Sequence, residues 1–166
     1  MINGEKSTFA IECEIHHTFE NFIYCNFRFW IAGEQIGDWS EESVLGVLIH
    51  SAKVFARYQG ERYLEQAEGM SAMSLRNYID RITTSDDPND MQVSIEGHYR
   101  QRFLLHEIAD DSVARDFEVM VVERADGAQR VLSKRRDGDD LQEKTLPKLT
   151  VDKAVAEFLL WAEQQA

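Results

Sequence analysis

Residues 27–39, Phe27-Arg28-Phe29-Trp30-Ile31-Ala32-Gly33-Glu34-Gln35-Ile36-Gly37-Asp38-Trp39, decide how the rest of the chain is read. Phe27, Phe29 and Ile31 alternate with Arg28, Trp30 and Ala32, a period of two that predicts a strand with one face buried. Gly33-Glu34 fits the centre of a tight hairpin, because glycine reaches the positive φ such turns require. Gln35-Ile36-Gly37 is then a short return strand, and Asp38 a polar stop before a helix. The stretch reads as a rigid aromatic hairpin without a catalytic constellation.

Upstream, Phe9, Ile11, Cys13 and Ile15 alternate with Ala10, Glu12 and Glu14, which predicts a strand over Thr8–Ile15. A second strand runs from Phe22 to Ala32, long enough for a bulge near Asn26. Downstream, Ser40-Glu41-Glu42-Ser43 puts capping groups and negative charge where a helix N-terminus favours them. That helix is expected from Glu42 or Ser43 to Tyr58, with Val44, Leu45, Leu48, Ile49, Ala52, Phe55 and Ala56 as its stripe. A second helix is expected from Ser71 or Ser74 to Ile82, then a loop over Thr83–Asp90 dense in turn formers. Met91, Val93 and Ile95 predict a strand, and Arg102–Ile108 another. Asp116–Glu123 is nearly apolar and predicts a central strand. Asp126-Gly127 marks a hairpin, Gln129–Arg136 the returning strand, and Asp137-Gly138-Asp139-Asp140 an acidic loop. A last helix, capped by Thr150, buries Val151, Val155, Phe158, Leu159 and Ala162. Runs of one element type with hairpin connections predict an α+β fold: a mostly antiparallel sheet of about six strands, with about three helices packed on one face. At 166 residues the chain is expected to form a single domain over 1–166.

Thirty acids against eighteen bases leave a net charge of −12. Phosphate-led nucleic-acid binding draws on Lys and Arg, so direct nucleic-acid binding is not expected, nor is attachment to an anionic membrane. The N-terminus lacks a signal-type apolar core and no run is long enough to span a bilayer, which predicts a cytoplasmic protein. Cys13 and Cys25 fall in predicted strands and are read as buried thiols in preference to the alternative, a disulfide between them. Acidity either keeps the chain soluble or complements a basic partner.

Aromatic-Trp-Ile-x-Gly-x-x-Ile-Gly-Asp, carried here by Phe29, Trp30, Ile31, Gly33, Ile36, Gly37 and Asp38 and followed by a Leu-containing helix, resembles the signature region of the immunity protein 42 family of bacteria. The matched part runs from about Phe27 to Phe55. The resemblance implies a small cytoplasmic α+β protein, encoded beside a polymorphic toxin, that binds and neutralises that toxin without catalysis. It implies a cognate toxin as partner and no cofactor.

The residues agree with a non-catalytic role. Cys13, His16 and His17 are close in sequence, but no metal-ligand spacing completes a tetrahedral set. No Gly-x-Ser-x-Gly elbow or phosphate-binding loop occurs. Trp30 and Trp161 read as packing at or near the core. Trp39 follows the turn and precedes a polar cap, so with Glu41 and Glu42 it is a candidate interface anchor with an acidic rim. Asp86, Asp87 and Asp90, and Asp137, Asp139 and Asp140, are either solvated loop tips or acids that complement a basic toxin. Asp110-Asp111 is a weaker candidate. A secretion-type chaperone, also small, acidic and α+β, is the competing class; it is usually a dimer, whereas the inhibitor reading favours a monomer.

Overall fold

The computed structural model describes residues 1–109 and 112–166 of the chain; the Asp110-Asp111 candidate lies outside the described residues. Among the described residues eight strands form two antiparallel sheets. Strands β1 (Ile2–Glu5), β2 (Phe9–Phe19), β3 (Phe22–Ile31) and β4 (Glu34–Ile36) lie side by side in that order. Strand β5 (Glu42–Val44) pairs with Tyr24–Asn26 of β3, on the edge that β4 leaves free. The second sheet is β6 (Phe117–Glu123), β7 (Gln129–Arg135) and β8 (Leu141–Leu146). The α+β class and antiparallel pairing agree with the sequence; the expected single sheet of six strands is two sheets, of five and three.

Phe9, Ile11 and Cys13 of β2 and Cys25, Phe27, Phe29 and Ile31 of β3 are buried on one face, the face the alternation assigns to the core. Helices α1 (Leu45–Ala56) and α5 (Thr150–Ala162) cover that face, and Val119, Val121 and Val131 of the second sheet close it. Cys13 and Cys25 are free and buried; the hydrogen bond from Cys25, then burial, push the Cys13 thiol up, so it is packing material. Met120, Val122 and Leu132, on the other face of the second sheet, meet Leu75, Ile79 and Ile82 of α2 (Ala72–Thr84) and Tyr99 and Phe103 in a second core. Helices thus cover more than one face.

Several expectations are corrected. The tight turn is centred on Ala32 and Gly33, at φ 51° and 88°, one residue before the expected Gly33-Glu34. Glu42–Val44 is strand and α1 starts at Leu45 without a side-chain cap, because the free edge of β3 claims the segment meant to open the helix. The register irregularity lies opposite Cys25 and Tyr24, next to Asn26, but on the partner strand β2 between Ile15 and His17 rather than on β3. Residues 91–95 form helix α3 (Pro88–Glu96), in which the Asp87 carboxylate accepts from the Asn89 N–H and Pro88 occupies the first turn. Capping overrode an alternation that buries nothing, since Met91, Val93 and Ile95 are all exposed. Residues 102–108 form no strand: α4 (Tyr99–Phe103) buries its ends one turn apart, Leu104 is extended and bridges Met120, and a 3₁₀ turn follows over Leu105–Ile108. Strand β6 is apolar because both its faces meet a core, yet it is an edge strand, bridged by Tyr63 and Leu104. Leu149, at φ 62°, precedes α5, and the Thr150 hydroxyl donates to the Pro147 carbonyl rather than capping.

Arg62 is the largest fully buried side chain. Its guanidinium is 2.5 Å from Asp152, donates to the Phe55 and Arg102 carbonyls, and lies 3.8 Å from the Phe55 ring centre. Gln129 donates to the second Asp152 oxygen at 2.6 Å, so the buried carboxylate is satisfied from one strand, β7, and the loop that carries Arg62.

Candidate functional site

The outward face of the first sheet carries what its core face excludes. On β3 the outward residues are Phe22, Tyr24, Asn26, Arg28 and Trp30; opposite them on β2 stand Phe19, His17, Glu14, Glu12 and Ala10. Trp30 is therefore a half-buried side chain on the outer face, opposite Phe29 and Ile31 as the alternation implies, and of the packing at or near the core expected for it only the marginal position fits.

Arg28 is the centre of this face. Its Nε donates to Glu12 Oε2 at 2.7 Å and its Nη1 to Gln35 Oε1 at 2.6 Å. The guanidinium lies 4.2 Å from the Trp39 ring centre and 5.0 Å from that of Trp30. Trp30 Nε1 also donates to Glu12 Oε2, and Lys6 Nζ reaches Glu12 Oε1 at 3.2 Å while sitting 4.0 Å from the Trp30 ring. Two cations and two indoles thus interleave around one carboxylate, each held in place by its neighbours. Burial pushes the Glu12 carboxyl up, but hydrogen bonds from Arg28, Trp30 and Lys6 together outweigh it and hold it below the usual carboxylate range.

Gly37 brings Trp39 onto this face. Its φ is +124°, and a Cβ there would lie 2.9 Å from Val113 and 3.3 Å from Arg28. The chain turns through that gap, Asp38 N–H donates to the Ser112 carbonyl at 2.7 Å, and the Trp39 carbonyl accepts from Asn26 Nδ2 at 2.5 Å. Asp38 itself turns back to Ser40, accepting from its hydroxyl and its backbone N–H.

The expected acidic rim is present but partly compensated. Glu41 lies 2.8 Å and Asp38 3.8 Å from the Arg115 guanidinium, and Glu42 is 3.6 Å from His17. The β7–β8 turn places Asp139 and Asp140 in a cleft of about 350 Å³ that Glu34 and Gln35 also line. Gln35 binds Arg28, so this second acidic group borders the same surface. Asp137 is exposed beside Arg135, and Asp140 accepts from Gln142. Asp86, Asp87 and Asp90 sit apart, at the connection between α2 and α3 beyond the second core, where Asp87 caps α3 and Asp90 lies 3.8 Å from Arg81.

Lys6, Glu12, Tyr24, Arg28 and Gln35 were not singled out from sequence. The signal for Arg28 was its place between two core phenylalanines, which assigns it to the opposite face.

Elsewhere, His106 is buried with Nδ1 at 3.0 Å from the Val119 N–H, and burial pushes its imidazole down, so it is a neutral backbone partner. Among the described residues no group of three His, Cys, Asp or Glu side chains is placed to hold a metal ion. Among the described residues no helix is long and apolar enough to cross a membrane.

Residues 1–161 match the family described as immunity protein 42. The chain belongs to that family. The immunity protein 42 match extends the resemblance of residues 27–55 across both sheets and into α5. No curated protein matches the chain. The crystal structure of CdiI from Burkholderia dolosa AUO158 is similar over 97% of this chain and 99% of its own, with a TM-score of 0.74 at 16% identity. At that identity the likeness is one of fold.

Proposed function

We propose that this immunity protein 42 member neutralises its cognate toxin stoichiometrically, docking the toxin on the outer face of the first sheet. The observation that carries this reading is the cluster of Trp39, Arg28 and Trp30 on the outward face of the first sheet, where both indoles stay partly exposed. Trp and Arg dominate binding hot spots, and side chains already held in place lose little freedom on association. Glu41, Glu42, Asp137, Asp139 and Asp140 form the rim and face basic groups of the toxin. Asp86, Asp87 and Asp90 take no part, because capping and the Arg81 contact already employ two of them. The protein acts in the cytoplasm as a monomer, without cofactor, turnover or direct contact with nucleic acid.

Coexpression with the toxic C-terminal domain encoded in the neighbouring reading frame tests the function: the wild type is expected to restore growth and to bind the folded domain one to one. Failure of both sinks the proposal. Binding only to an unfolded partner points to the chaperone class instead. Trp39→Ala locates the face, with affinity expected to fall about a hundredfold while the fold persists. Unchanged affinity in a folded Trp39→Ala protein removes the face from the proposal.

A further inference from the structure

The β2–β3 hairpin ends in a pair of phenylalanines that the fold does not use. Phe19 and Phe22 face each other as the last pair of the ladder, with only Glu20 and Asn21 between them. Phe19 is 61% exposed and Phe22 50%. Behind them His17 stacks on Tyr24, ring centres 4.9 Å apart and planes within 9°. Among the described residues no side chain of residues 18–22 makes a hydrogen bond or ion pair. The turn itself asks for a residue at positive φ, which Glu20 provides at 54°, and nothing in it asks for aromatic flanks. Single exposed apolar residues are ordinary, but a rigid aromatic pair at a hairpin tip is an aggregation hazard unless something covers it.

We infer that this tip is a finger that inserts into an apolar socket, rimmed by basic residues, on the toxin. The inference rests on the toxin-binding reading and extends it from the stacked face to the tip. Phe22, Tyr24, Arg28 and Trp30 share one side of β3, a row about 27 Å long at strand spacing, which suits one standard-sized interface. The ladder keeps the finger ordered before binding, so burying two large rings costs little further freedom. The charge around the tip selects the occupant. Glu14 and Glu20 are exposed and unpaired among the described residues, and Glu42 stands beside His17. Acids at the base of an apolar finger match a basic rim. They oppose a second copy of this chain, which would bring the same acids together, and an anionic bilayer.

The test uses the full-length protein and the purified toxin domain from the neighbouring reading frame. Phe19→Ser/Phe22→Ser is expected to keep the wild-type circular dichroism spectrum and to lose about a hundredfold in affinity, a loss that persists in 0.5 M NaCl. Phe19→Leu/Phe22→Leu is expected to recover most of it. Amide exchange of the wild type supplies a measurement independent of substitution: residues 17–24 become protected in the complex. Toxin that binds the wild type and the serine variant equally, or leaves 17–24 unprotected, overturns the finger while the stacked face stands. A wild type that does not bind the toxin overturns both. A wild-type dimer that the serine substitutions dissolve assigns the tip to a second copy of the chain and overturns the socket.

Discussion

Arg28 packs over the Trp39 ring, its guanidinium carbon 4.2 Å from the indole centre, although the two residues belong to different segments joined through the Ala32-Gly33 turn and Gly37. The same guanidinium holds Glu12 on the neighbouring strand and Gln35 on the return strand. One side chain therefore ties three segments of the exposed face together, and loss of its planar fork loosens all three.

Arg28→Ala is expected to cost about 2–3 kcal/mol, since it strips the Glu12 carboxylate of its strongest donor. Arg28→Lys keeps the charge but not the fork, and recovers only part of that. Urea unfolding measures the loss, and acrylamide quenching reports a more accessible Trp39. Equal stability and equal quenching in Arg28→Ala would show that the stack is ornamental.

Gly37→Ala forces a Cβ against Val113 and Arg28 at a φ that L-residues rarely adopt. A destabilisation of about 2 kcal/mol or more is expected, with weaker toxin binding because Trp39 leaves its place. Gly33→Ala is the control. Nothing crowds a Cβ there, so its smaller cost reflects the turn's φ of 88° alone.

The Glu12 carboxyl titrates lower in the folded protein than in the unfolded chain, where its value is near 4.5. Its contribution to stability is therefore complete above that value and lost as pH falls below it through the folded-state pKa. The wild type should exceed Glu12→Gln in stability at pH 7, and the gap should narrow by pH 3. A gap independent of pH would mean that the charge on Glu12 contributes nothing.

Asp152→Ala leaves the Arg62 guanidinium buried without its counter-charge. A loss of about 3–5 kcal/mol in unfolding free energy is expected. The pair lies inside the protein, away from the outer face of the first sheet, so the variant that remains folded should bind toxin normally. Reduced affinity per folded molecule would contradict the proposed separation of core and interface.

Acids on the rim should act on the rate of encounter more than on the final affinity. Association is expected to slow at least about tenfold between low and high salt, within the range electrostatic steering supplies. Asp139→Asn/Asp140→Asn should lower the low-salt rate and flatten the salt dependence, as read by stopped flow. A flat profile for the wild type removes steering from the mechanism.

Local pattern was a sound guide wherever one face of an element is buried. Phe9, Ile11, Cys13, Phe27, Phe29 and Ile31 line the core as their alternation requires, and Ser71 caps α2 through the Ser74 N–H. It misled where burial was two-sided or absent. Strand β6 looks central because two cores meet on it, and α3 looks like a strand because its apolar residues touch nothing that could set a period. The candidate site is legible only in part: Trp39 belongs to the stack and Glu41 and Glu42 border it, but packing at or near the core does not bring Trp30 to it, and Asp139 and Asp140 reach the same surface only through the β7–β8 turn.

By itself the sequence determined the α+β class, the core face of the first two long strands, the acidity and the family signature, because these depend on residue order and on periods of a few residues. Tertiary structure decided what the signature does. Gly37 carries the chain across Arg28, the free edge of β3 takes β5 before α1 begins, and Glu12, Arg28, Trp30 and Trp39 meet across strands and a turn. Such meetings depend on register and crossing geometry, which no local pattern encodes.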